Sequence, residues 1–329
     1  MNVMKEIRVS ILGAGNIAGR MARTLQEVEG VTLWAAASRS LAKAEDFAAE
    51  FGAVKAFGFY DELYNDPDTD LVYVATPHSF HYEQAKAALL HGKHVLCEKP
   101  MTINAKQAKE LFGIAQERGL FVSEAIWTRY IPLAETLRQK LDEKVIGTPR
   151  IMTANYGFNN MDTPRIAEPS LAGGALLDLG IYPLTVISMV FGEDIVNIQT
   201  SGVLTGKGVD AHSATILTFA DGKMATMLTA IDTAMDSKVV IYGDEGRIEM
   251  DFVCNWTGIN VYDAGGSIKE RISRPQQITG FEFEVEAAAA AVRAGKLETE
   301  KAPRSLILAM MERMDALRNA WGMKYPGED

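Results

Sequence analysis

The chain has 329 residues, 47% of them hydrophobic and 23% charged, with a formal net charge of -10. That length exceeds what one hydrophobic core usually supports, so two domains are expected, and the acidic balance argues against a nucleic-acid surface. Two distant cysteines, Cys97 and Cys254, form no CxxC pattern, so neither a disulfide framework nor a zinc site is indicated; no apolar run of membrane-span length and no signal-peptide core is read, which places the chain in the cytoplasm.

The first third alternates strand and helix signals with little filler. "IRVSILG" (7–13) is a β-branched run ending in glycine. "NIAGRMARTLQEVEG" (16–30) then spaces Ile17, Met21, Leu25 and Val28 helically and stops at Gly30. "VTLWAAA" is a second strand, and "SLAKAEDFAAEFG" is a helix with a serine start and a glycine stop. "LVYVATP", "HYEQAKAALLHGK", "HVLCE", "NAKQAKELFGIAQERG" and "FVSEA" continue the alternation. Continuous apolar strands separated by helices pair in parallel and are covered on both faces. Residues 1–124 are therefore expected to form a doubly wound, Rossmann-type α/β domain.

Its first turn, "GAGNIAG", supplies G-x-G-x-x-A from Gly13, Gly15 and Ala18. The first glycine permits the tight turn, the second lets a pyrophosphate approach the backbone, and the small third residue packs helix on strand. Where an NAD site usually offers a carboxylate, the second strand ends in "AAASRS", with Ser38 and Arg39. A guanidinium grips a 2′-phosphate, so NADP is favoured over NAD; the plainer alternative is that Arg39 is a solvated residue opening a helix. "HVLCEKP" sets Lys99 just beyond a strand's carboxyl end, where ligands of such sheets lie, and Pro100 disfavours helical backbone there. A solvated loop lysine is the alternative.

Residues 125–329 read as a second, α+β domain. "EAIWTRYIPLAETLRQKL" gives a linker and helix, "PRIMTANYGF" a strand, and 159–170 a polar loop. "GGALLDLGIYPLTVISMVFG" (173–192) is an apolar helix with Asp178 and Tyr182 four residues apart on one face. These two are either site residues or ordinary core polar groups. From 195 to 273 short alternating segments, divided by turns such as "ADGK" and "GDEG", predict a large open, mainly antiparallel sheet. Helices near 282–294 and 304–321 end the chain. One face of that sheet needs cover, so a homodimer through it is expected.

"GAGNIA", "ATPHSFHYEQA", "CEKPM" and "GGALLDLGIYPL", in this order and over nearly the whole chain, resemble the glucose-fructose oxidoreductase and inositol dehydrogenase (Gfo/Idh/MocA) family. "SEAIWTRYIP" and the tyrosine of "DLGIYP" resemble the branch with dimeric dihydrodiol dehydrogenase and NADP-dependent D-xylose 1-dehydrogenase. Many relatives carry histidine where Tyr182 stands, and asparagine where His78 stands.

The resemblance implies an enzyme that moves a hydride between nicotinamide C4 and a carbon bearing a hydroxyl or carbonyl in a sugar or vicinal diol. Tyr182 would be the general acid/base, assisted by Lys99 across an often cis lysine-proline bond, and Asp178 would orient the lysine or bind a substrate hydroxyl. Cofactor contacts would come from Gly13, Gly15, Asn16, Ile17, Ser38, Arg39, Thr76, Pro77, His78, His81, Glu98 and Lys99. Trp127, Arg129, Tyr156 and Asp178 would border the substrate. His81 would lie near the nicotinamide; its alternative is a water-exposed residue at a helix N-terminus. No metal site is expected, since His78 and His81 lack a third ligand of evident spacing. The alternative function is a dinucleotide-binding redox sensor or scaffold without turnover.

Overall fold

The computed structural model describes residues 5–328. The chain forms two compact units, one running to Ile126 and resuming over Gln277–Met311, the other comprising Trp127–Gln276 and the residues from Glu312 onward. A division at 124/125 thus misses that residues 277–311 cluster with the N-terminal unit.

That unit begins β1 (Ile7–Leu12), α1 (Asn16–Glu27), β2 (Val31–Ala37), α2 (Leu41–Phe51), β3 (Lys55–Phe57), α3 (Tyr60–Asn65) and β4 (Leu71–Val74). It continues with α4 (His78–Leu90), β5 (His94–Glu98), α5 (Ala105–Arg118) and β6 (Val122–Ala125). The strands pair in parallel in the order β3-β2-β1-β4-β5-β6. The order reverses between β1 and β4, which opens a crevice outside the strands' carboxyl ends. Capping residues set the helix ends: Ser40 Oγ accepts from the Lys43 N–H, Asn104 Oδ1 from the Gln107 N–H, and Gly52 and Gly119 close α2 and α5 in the left-handed conformation.

The second unit opens with a 3-10 turn, Trp127–Arg129, then α6 (Pro132–Asp142), β7 (Pro149–Gly157) and α7 (Pro164–Ala167). A π-helical turn, Leu176–Gly180, runs directly into α8 (Ile181–Phe191). β8 (Ile195–Leu204), β9 (Asp210–Phe219), β10 (Met224–Ala230), β11 (Lys238–Gly243), β12 (Gly246–Asp251), β13 (Gly258–Asp263) and β14 (Ile268–Ser273) follow. The eight strands order as β14-β13-β12-β11-β7-β10-β9-β8, and pairing is antiparallel except between β7 and β10. On β9, Ser213, Thr215, Leu217 and Phe219 are buried while Ala214 and His212 are exposed, the period of a sheet covered on one face. The π turn and α8 supply the cover, packing on β7 and β10, and the π turn also on β9. Glycine permits the close approach: a Cβ on Gly180 would stand 2.9 Å from Leu176 Cδ1 and 3.3 Å from Thr229 Cγ2.

After the sheet the chain returns to the first unit with α9 (Glu282–Arg293), where the Arg20 guanidinium lies 4.7 Å from the Phe281 ring centroid and Arg20 also donates to the Thr279 carbonyl. α10 (Arg304–Ala320) ends the regular structure. Among the described residues one stretch, Pro169–Phe191, is long and apolar enough to cross a membrane, contrary to the expectation that no run comes near that length; 89% of its most apolar 18-residue window is buried inside the fold, as in the core helix of a globular domain.

Candidate active site

In the first unit the turn between β1 and α1 is shaped for close approach. Gly13 has φ 113°, and a Cβ there would stand 2.6 Å from the Ala75 carbonyl oxygen, so the position admits only glycine. The Gly13 N–H donates to the Ala37 carbonyl, and the Ala75 N–H to the Leu12 carbonyl, each at 2.9 Å. Gly15 differs, because a Cβ there would meet nothing within 4 Å. Its bareness leaves open space over the start of α1, whose N-terminus has no side-chain cap. Backbone N–H groups and the positive end of the helix dipole there suit an anion. Asn16 and Ile17 are exposed beside it, and Ala18 is fully buried beneath. These residues fit a dinucleotide pyrophosphate.

At the end of β2, Ser38 is half-buried and its N–H donates to the Phe57 carbonyl at 3.1 Å. Arg39 is exposed. Burial pushes the Tyr60 hydroxyl above its ordinary value and the nearby Arg39 charge pulls it back, so the guanidinium lies within electrostatic reach of that phenol.

The Lys99 turn is gripped by its backbone. The Lys99–Pro100 peptide is cis. Glu98 accepts from the Lys99 N–H at 3.2 Å, and buried Glu124 accepts from the Met101 N–H at 2.8 Å. Between them, His81 sets Nδ1 2.8 Å from the Pro100 carbonyl and Nε2 2.8 Å from the Thr76 carbonyl. His81 is fully buried, not exposed to water as the plainer sequence reading had it. Burial holds its pKa below the ordinary imidazole value while the two carbonyls oppose this, and a neutral ring donates to one of them at a time. Thr76 Oγ1 reaches Gln84 at 2.5 Å, Pro77 precedes α4, and the buried His78 ring lies edge-on to His81 at 5.7 Å.

Carboxyl groups crowd beneath this turn. Burial raises Glu98, while a hydrogen bond from Tyr73 and the Lys99 charge pull it back down. Glu284 on α9 is 1% exposed, and neither carboxyl oxygen has a hydrogen-bond partner. Burial, and then the Glu98 charge, push it well above the usual carboxylate range.

In the second unit, Asp178 and Tyr182 both project from the helix that starts at the π turn, and both are buried. Asp178 Oδ1 accepts from Arg165 Nη1 at 2.8 Å, which ties the helix to α7 in the polar loop. The Tyr182 ring stands edge-on to Tyr156, with centroids 5.7 Å apart, and Phe158 continues the stack at 5.1 Å. Tyr156 Oη lies 3.2 Å from Cys254 Sγ, and burial followed by the neighbouring thiol pushes its pKa far up. Trp127 is buried, while the half-buried Arg129 donates through Nη2 to Ser188 Oγ at 2.9 Å, and Ser188 in turn donates to Glu193.

Arg165 lies in the polar loop at 159–170, and nothing in its spacing marks it as the partner of Asp178. A signal for Glu124 existed in "SEA", an acid inside an otherwise apolar strand.

An open glycine turn at the switch point of a doubly wound sheet fits a dinucleotide-binding domain, and the chain joins it in sequence to a unit carrying a buried acid and phenol on one helix. Comparison with known proteins agrees. The family model described as "Oxidoreductase family, NAD-binding Rossmann fold" matches residues 7–126, and that of the GFO/IDH/MocA C-terminal domain matches 134–249. Trans-1,2-dihydrobenzene-1,2-diol dehydrogenase of Mus musculus is 31% identical over 333 residues, covering 97% of this chain and 98% of its own. Its Danio rerio counterpart is 30% identical over 328 residues, with the same coverage of 97% and 98%. Among solved structures, the 3-ketoreductase KijD10 from Actinomadura kijaniata, in complex with NADP and TDP-benzene, superposes with a TM-score of 0.86 at 28% identity, over 96% of this chain and 98% of that one. The chain belongs to the Gfo/Idh/MocA family of NAD(P)-dependent oxidoreductases.

Proposed function

We propose that this enzyme uses NADP to interconvert a hydroxyl and a carbonyl on a sugar or vicinal diol, with Tyr182 as general acid/base, Lys99 assisting it and Asp178 orienting the reacting groups. When bound, the nicotinamide gives or accepts the hydride at its C4. Gly13, Gly15, Asn16 and Ile17 would hold the pyrophosphate, and Ser38 and Arg39 the 2′-phosphate. The dihydrodiol dehydrogenases similar to this chain, and the NADP-bound ketoreductase, support the cofactor and the substrate class.

The assignment of Tyr182 is supported by its burial one turn after the buried Asp178 on the same helix. Tyr156 is occupied with Cys254 and is strongly disfavoured as a phenolate, which makes it a wall of the site. Tyr182 shares its helix with a carboxylate already paired to Arg165. A free phenol with a pKa of about 10 is a weak base near neutrality, and a nearby ammonium corrects this by favouring the phenolate. Lys99 would supply that charge.

The reading includes a homodimer through the open sheet, whose outward row exposes Ile151, Met224, Leu228 and Tyr242. It also includes a cytoplasmic setting, where the buried thiols of Cys97 and Cys254, neither in a disulfide, stay reduced. The test is NADPH and NADH binding by fluorescence, followed by turnover of aldoses, diols and dicarbonyls. Tighter NADPH binding with turnover of a diol or sugar is expected; tight binding with no turnover across the panel would contradict the proposal.

A further inference from the structure

The helix carrying Asp178 and Tyr182 starts from a two-glycine turn, and that turn is held from two directions by side chains outside the site described above. Gly174 has φ 117°, and a Cβ on it would stand 2.1 Å from Asp210 Oδ1. A Cβ on Gly173 would stand 2.2 Å from the Ile166 carbonyl oxygen. Both positions therefore demand glycine, so the turn is pressed between α7 and the first residue of β9. The Gly174 N–H donates to the Ile166 carbonyl at 2.8 Å, and the Gly173 N–H to the Glu168 carbonyl at 3.1 Å.

Asp210 makes the first attachment. Its side chain is fully buried, and Oδ2 accepts from the Leu176 N–H at 2.7 Å, the first residue of the π turn. Tyr325 makes the second. Its hydroxyl donates to the Gly173 carbonyl at 2.5 Å, and the residue is 3% exposed.

Tyr325 is itself locked. The Arg318 guanidinium lies 4.7 Å from its ring centroid and pairs with Asp315 at 2.7 Å and Glu328 at 2.6 Å, while the Tyr325 N–H donates to Glu328 at 2.9 Å. A π turn lacks the regular ladder of an α-helix, so the direction in which its side chains leave depends on how its ends are fixed.

We propose that Asp210 and Tyr325 are positioning residues, which fix the 173–176 turn and thereby aim Asp178 and Tyr182. The inference rests on the assignment of Tyr182 as the acid/base and extends it to residues that touch neither substrate nor cofactor. Tyr325→Phe keeps the ring and its Arg318 contact and deletes the donor. Asp210→Ala deletes the acceptor, and Asp210→Asn restores one.

The experiment measures NADP-dependent turnover of trans-1,2-dihydrobenzene-1,2-diol or D-xylose, whichever the wild type oxidises faster, together with deuterium uptake in the peptide spanning 173–182. In Tyr325→Phe and Asp210→Ala, kcat is expected to fall about tenfold, the loss of roughly one hydrogen bond's worth of aim, with KM and NADPH affinity within about twofold of wild type and faster uptake in that peptide. Asp210→Asn is expected to recover most of both. Tyr182→Phe is measured alongside. If Tyr182→Phe is inactive while Tyr325→Phe keeps wild-type kcat and uptake, the positioning inference is overturned and the catalytic reading stands. Wild-type turnover in Tyr182→Phe would instead remove the catalytic reading, and the uptake of 173–182 in Tyr325→Phe would still decide whether Tyr325 fixes the turn.

Discussion

Arg39 is the side chain proposed to distinguish the two cofactors. It stands exposed after β2 with Ser38 beside it and no carboxylate at the strand end. Charge-assisted hydrogen bonds to a phosphate contribute about 1.5–3 kcal/mol, so Arg39→Ala should weaken NADPH roughly tenfold or more while leaving NADH nearly unchanged. Fluorescence titration of both cofactors checks this, and an equal loss for the two would mean that Arg39 does not read the 2′-phosphate. Glu124 acts through backbone, since its carboxylate accepts the buried Met101 N–H two residues after Lys99. Glu124→Ala strands that donor at a cost of about 1–3 kcal/mol, whereas Glu124→Gln keeps an acceptor. A thermal melt should show a clear drop for Ala and a small one for Gln. The tight turn at Gly13 was legible from the glycine spacing after β1, whereas the roles expected of Lys99, Asp178 and Tyr182 came from the family resemblance and not from their spacing. The burial of His81 was not legible, since a histidine near a helix start reads alike whether it faces water or two carbonyls.

Among elements, the start of the π-turn helix meets a titratable group, Asp210 at the head of β9. Burial pushes the Asp210 carboxyl up to about 7 from an ordinary 3.8, against hydrogen bonds from the backbone and the Arg318 charge. Tyr325 and Arg318 face it from the C-terminal segment, and the Leu176 N–H from the turn. The folded value lies above the unfolded one, so the native state holds this proton more tightly. The stabilisation it brings is complete below about pH 4 and is lost as pH rises toward 7, on the order of a few kcal/mol in all. Asp210→Asn removes the ionisation, so its melting temperature relative to wild type should rise between pH 5 and pH 8. A difference that stays constant over that range would show that Asp210 does not titrate there. Helix limits at Ser40, Gly52, Asn104 and Gly119 were readable from their capping residues. β3, with only "KAF", carries no apolar run, and it was missed along with α3. The π turn was hidden because an apolar segment buried on all sides shows no phase.

At the scale of the whole chain, strand alternation made the parallel and antiparallel halves readable, but contacts distant in sequence could not be. The parallel β7–β10 pairing and the return of 277–311 to the first unit are set by tertiary packing. The exposed row of Ile151, Met224, Leu228 and Tyr242 on the open sheet leads to a prediction about assembly. Light scattering should give twice the 36.0 kDa chain mass, and Leu228→Arg should shift it toward the single chain by burying an unpaired charge at the interface. A wild-type mass of one chain would rule out the sheet dimer. The central claim concerns Tyr182, and the most direct test is steady-state NADP-dependent oxidation of a diol or sugar by wild type and Tyr182→Phe, with NADPH affinity measured on both. The account predicts a loss in kcat of about 100 to 10,000-fold at unchanged NADPH affinity. Turnover by Tyr182→Phe within twofold of wild type would contradict it.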